Sequence, residues 1–116
     1  MKYLISFFSI LILTSVFSIS FAGSNKANLI VQLKTKNEEI KNKMTQVYYK
    51  NYQLTDYKDA FEKSQINWIN YRNSYCKDYI GSEASASQGV GFELLPLECL
   101  VNLNQDRLNE LSRLPQ

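Results

Sequence analysis

Gln65-Ile66-Asn67-Trp68-Ile69-Asn70-Tyr71-Arg72-Asn73-Ser74-Tyr75-Cys76 is the stretch on which the fold turns. Trp68, Arg72 and Cys76 stand four residues apart, which stacks them on one stripe of a helix, with Tyr71 and Tyr75 beside them. Extended in both directions, Tyr57, Phe61, Ser64, Trp68, Tyr71, Tyr75 and Tyr79 recur every three or four residues. This spacing predicts a long helix from Asp56 to about Ile80 carrying an aromatic seam. Packing is the simplest role for the tyrosines, although eight in one short chain leave some rings for contact with a partner. Arg72 then lies between an indole and a cysteine, its stem over apolar surface and its guanidinium on Trp68, within reach of an acid such as Glu98, Asp106 or Glu110. A direct ligand contact is the other reading of Arg72, and core packing is the simpler reading of Trp68.

Upstream, Ser24 and Asn25 are placed to cap a first helix in which Leu29, Leu33, Ile40, Met44 and Val47 fall at helical spacing. Lysines 34, 36, 41, 43 and 50 alternate with acids and apolar residues, as on a solvated face. A break near Gln53 to Thr55 follows, with Thr55 as the expected cap of the next helix and Asp56 and Asp59 favouring its first turn. Downstream, Gly81 is expected to stop the long helix, and the small residues from Ser82 to Gly91 read as part of a loop over 81 to 96. After Pro96, Leu97, Leu100, Leu103, Leu108, Leu111 and Leu114 describe a last helix ending before Pro115. The expected fold is all-α, a small antiparallel three-helix bundle.

The N-terminus bears on the compartment. Lys2 precedes an apolar run from Tyr3 to Phe17, and Ser20 and Ala22 supply the small residues of a cleavage site. Residues 1–22 therefore read as a secretory signal and 23–116 as the mature domain, periplasmic or secreted. An uncleaved anchor is the alternative, since Tyr3 to Ala22 barely spans a bilayer. After cleavage no stable membrane insertion is expected. The mature chain would have 94 residues, 12 basic and 11 acidic, a balance that gives no electrostatic case for nucleic acid.

Cys76 and Cys99, in an exported chain of this size, most simply form one disulfide, with intermolecular pairing or free thiols as the alternatives. The bond would tie the end of the long helix to the start of the last one. The chain has no histidine, which removes the usual general base, the usual zinc ligand and every Ser-His or Cys-His arrangement. Asp56 with Asp59, or Glu38 with Glu39, leaves a carboxylate pair conceivable, but such pairs need a deep cleft that a small bundle rarely offers. A binding protein without enzymatic activity, cofactor or metal is the expectation.

Gln65, Trp68, Tyr71, Arg72 and Cys76 form the pattern Gln-x-x-Trp-x-x-Tyr-Arg-x-x-x-Cys. Cys99, Leu100, Leu103, Arg107 and Leu111 form Cys-Leu-x-x-Leu followed by Arg-x-x-x-Leu. In this combination, over roughly residues 36 to 114, the chain resembles the LprI-type lysozyme-inhibitor family of small exported bacterial domains. Members often have threonine where Asn104 stands, and many carry a further cysteine pair that is absent here. The resemblance implies a protein that occludes a lysozyme cleft. On the loop reading, Glu83, Gly89, Gly91 and Glu93 would be its candidate partner contacts, with exposed tyrosines nearby. A periplasmic envelope-interaction or structural protein that never meets lysozyme is the alternative.

Overall fold

A computed structural model describes the backbone of residues 17–86 and 91–114, and side chains from Asn25 onward. Most of the expected signal, residues 1–16, lies outside the described residues, as do Gly89, Pro115 and Gln116. Helix α1 spans Phe17–Leu54 and α2 spans Lys58–Asn73. A π-helical segment, Ser74–Tyr79, leads directly into α3, Ile80–Ala86, and α4 runs over Gly91–Ser112. The described residues contain no strand. Because α2, the π segment and α3 follow one another without a break, the architecture is three helical rods, as the spacing predicts.

Side-chain pairs fix the directions. Arg107 on α4 donates to Gln65 at 2.9 Å, Arg72 donates to Asn104 at 2.9 Å, and Cys76 bonds to Cys99. Rising numbers on one rod meet falling numbers on the other, so the second and third rods are antiparallel. Asn104 donates to Asn37 at 2.7 Å, and Asn51 donates to the Leu111 carbonyl at 2.7 Å. Both numbers rise together, so α1 runs parallel to α4. Helix α1 packs chiefly along α4, and it meets α2 mainly where the Tyr48 and Phe61 rings stack, 5.1 Å between centroids.

The buried apolar residues are few: Ile40 and Met44 from α1, Cys76 and Ala84 from the middle rod, Val101 and Leu111 from α4. Among them are buried Asn51, Gln65, Asn104 and Arg107. Every buried side-chain nitrogen and oxygen among the described residues has a partner, as a core with this much polarity requires. The expected stripe on α1 is only half realised, since Leu29 is exposed and Leu33 and Val47 are intermediate.

Four local expectations are corrected. Helix α1 is continuous from Phe17, so Ser24 and Asn25 lie inside it and do not cap it. The break after Leu54 falls where expected, but Tyr57 takes the N-cap position of α2. Thr55 accepts the Tyr57 N–H at 3.1 Å, so it shapes the turn two residues before the N-cap. Gly81 does not end the second rod. The helix runs on to Ala86, with Ala84 completely buried and α3 packed against α4, and this tertiary packing outweighs the weak propensity of glycine. The predicted loop over 81 to 96 is accordingly mostly helix. Helix α4 begins at Gly91, and Pro96 sits in its second turn, where the one N–H it lacks would have bonded Phe92.

Candidate functional site

The π segment decides which side chains face α4. At about 100° per residue, an uninterrupted helix would bring position 83 round to within about 20° of Cys76 and leave 84 well to the side. In the π segment the Ile80 N–H bonds the Tyr75 carbonyl, five residues back, which inserts one extra residue into the turn. The phase slips accordingly: Ala84 is buried at 0% exposure and Glu83 points to solvent. A carboxylate is thereby turned out of the interface and a methyl group turned in.

The motif residues group around Trp68. Arg72 lies over its ring at 5.2 Å and Arg107 at 5.7 Å. Arg107 is buried, donating to Gln65, to Glu110 at 2.8 Å and more weakly to Ser64 at 3.4 Å. Its charge is therefore met by a carboxylate at the surface of α4. Arg72 differs from expectation here. It meets none of Glu98, Asp106 or Glu110; its Nε and Nη2 both donate to Asn73 Oδ1, at 3.1 and 2.9 Å, and Nη1 donates to Asn104. Burial lowers the pKa of Arg72, although an arginine remains charged at neutral pH. Asn104 passes the chain on to Asn37, so one hydrogen-bonded line crosses all three rods.

Leu111 is nearly fully buried, and its carbonyl, near the end of α4 where helical partners run out, receives the Asn51 amide. Asn37, Asn51 and Asn73 are not singled out by the sequence reading, which names Ser64 only as a member of the aromatic seam. Their one signal is position, since Asn37, Met44 and Asn51 repeat every seven residues on α1. The rings of Tyr48, Tyr49, Tyr52 and Phe61 cluster at the turn between α1 and α2. Burial, then the nearby Glu62 carboxylate and the neighbouring phenols, raise the Tyr48 pKa.

Tyr71, Tyr75 and Tyr79 form a ladder with ring centroids 5.8 Å apart at each step. Tyr71 and Tyr79 are each 55% exposed, so the ladder is an outward face of the rod and the inward stripe is Gln65, Trp68, Arg72 and Cys76. Beyond the disulfide, α3 and the start of α4 form the tip of a helical hairpin. Phe92 is exposed there and, with Pro96, borders an open groove against Lys77, Gly81 and Ser85. From Asn73 to Cys99 the chain has four acidic residues, Asp78, Glu83, Glu93 and Glu98, all exposed, against one basic residue, Lys77. The overall charge balance conceals this concentration. Glu83 and Glu93 lie in α3 and the first turn of α4, and Gly91 is the first residue of α4.

Among the described residues no group of three or more His, Cys, Asp or Glu is placed to hold a metal ion, and no helix is long and apolar enough to cross a membrane. Fold and site together define a small helical domain with a disulfide-backed acidic tip. The family described as Lysozyme inhibitor LprI matches residues 22–111, and the chain belongs to it. Comparison with curated proteins and with solved structures gave no match.

Proposed function

We propose that this protein is an exported lysozyme inhibitor that blocks the enzyme's cleft with the tip of the α3–α4 hairpin. The observation that carries this reading is the concentration of exposed carboxylates, Asp78, Glu83, Glu93 and Glu98, on a hairpin tied at its base by Cys76–Cys99, in a chain of this family. Many lysozymes are basic, and an acidic surface steers encounter with a basic partner. Helical structure in the tip favours the reading further. A floppy loop loses affinity to the cost of ordering it, whereas a helix anchored by a disulfide has already met most of that cost. Glu83, Gly91 and Glu93, with Gly89, form the proposed contact, flanked by Phe92 and the outer tyrosines. The domain itself is read as non-enzymatic, acting in the periplasm or outside the cell, where its disulfide persists.

The test is a turbidity assay with the mature chain and several lysozyme types. Slowed lysis that weakens as salt rises, and is lost in Glu83→Lys/Glu93→Lys, is the expected result. Unchanged lysis by every lysozyme type at excess protein would overturn the reading in favour of another envelope partner.

A further inference from the structure

The two arginines over Trp68 are not equivalent. Arg107 has Glu110; among the described residues the ion pairs are Arg107–Glu110 and Lys41–Glu38, and neither includes Arg72. A partly buried guanidinium thus has amide oxygens as its hydrogen-bond acceptors and no carboxylate beside it among the described residues. Three of its five N–H groups are used, and the Nε/Nη2 edge, which fits a carboxylate in two-point geometry, is filled by the single oxygen of Asn73. Asparagine has the shape of aspartate without its charge. Being adjacent to Arg72 on the same helix, Asn73 can swing its amide off that edge by a side-chain rotation, with α2 left intact.

We propose that Arg72 is a binding site for the carboxylate of a small molecule or of a peptide C-terminus, with the Asn73 amide as the neutral group that occupies its place in the free protein. A carboxylate presents two charged acceptors where Asn73 presents one neutral one, and charge-assisted hydrogen bonds of this kind are the stronger. Arg72 lies in a seam, with Asn104 of α4 and, through it, Asn37 of α1 behind it. A slender terminal carboxylate reaches such a seam more readily than one on a folded protein surface. Trp68, the only tryptophan in the chain, lies against the guanidinium and reports on its occupancy.

The experiment titrates the mature protein with sodium acetate and with N-acetylalanine, following tryptophan emission, with acetamide and sodium chloride at matched concentration as controls. A saturable change with either carboxylate and none with the controls is expected, and the tighter of the two tells a bare carboxylate from a peptide-terminal one. Asn73→Asp supplies the anion internally, so it should fold and weaken the response by at least about tenfold. Asn73→Ala vacates the edge and should bind at least as tightly as the parent. If neither carboxylate gives a saturable change, or if Asn73→Asp responds as the parent does, Arg72 is structural only and the proposal fails. Arg72 and Asn73 are not part of the α3–α4 tip, so this outcome and that of the lysozyme assay stand independently.

Discussion

The two ends of the bundle are closed by different means. At one end, Cys76–Cys99 joins the middle rod to α4 covalently, and a π turn sets the phase of the short helix beyond it. At the other, closure rests on stacked rings, Tyr48 on Phe61, and on one amide, Asn51, bonded to the Leu111 carbonyl. The covalent end carries the acids Asp78, Glu83, Glu93 and Glu98 against Lys77 alone, and with them the proposed contact, whereas at the other end the exposed Asp56, Asp59 and Glu62 are interspersed with Lys58 and Lys63. In a domain with so few buried apolar residues, the end proposed to meet a partner is the end that is cross-linked.

Replacing both cysteines by serine is the strongest way to break this contrast. The bond spans 23 positions in sequence, and losing it should cost about 3 kcal/mol in the chain-entropy account. Chemical denaturation would measure the loss, and hydrogen exchange should locate faster opening in α3 and the start of α4. Equal stability with and without reductant would remove the distinction between the ends. Next in size, Ala84→Leu should overpack the interface and cost about 2 kcal/mol. Glu83→Leu, one residue earlier, should stay within about 0.5 kcal/mol because that position faces solvent. Reversal of that order would mean that the π turn does not set the phase.

At the other end, Asn51→Ala leaves the Leu111 carbonyl with a weaker partner and should cost about 1.5 kcal/mol, read as a shift in denaturation midpoint. The smallest effect is alkaline. With its folded pKa raised, the Tyr48 phenol contributes stability that is fully present below the ordinary tyrosine value and is lost as pH rises through the folded value. Stability of the parent should therefore decline above about pH 10, and Tyr48→Phe should flatten that decline.

The sequence was most informative where a side chain's identity sets its environment. The Trp68, Arg72, Cys76 stripe and the three-rod order follow from spacing, the Cys76–Cys99 bond follows from two cysteines in a small chain read as exported, and all are present. Reading failed where phase and partner are decided by packing across rods. Gly81 and Pro96 look like stop signals locally, yet both lie inside helix because Ala84 and the disulfide hold that region together. A π turn leaves no mark in a hydrophobic pattern except a slip of one residue, and here that slip falls among small residues whose pattern is faint. Charge alone points Arg72 towards an acid, whereas its partner is the amide next to it in sequence, which nothing in the pattern marks. The acidic tip was hidden for a related reason, since a near-zero sum says nothing about where its terms lie.

The parallel pairing of α1 with α4 has a consequence for the order in which the molecule is assembled. Asn37 must find Asn104, 67 positions further on, while the middle rod and α4 are neighbours along the chain. The helix made first thus waits for the one made last. During synthesis α1 has no long partner beside it, and the line of amides from Asn37 through Asn104 to Arg72 closes only once α4 arrives. A chain cut short before α4 would keep its first two rods and lose the element that joins them.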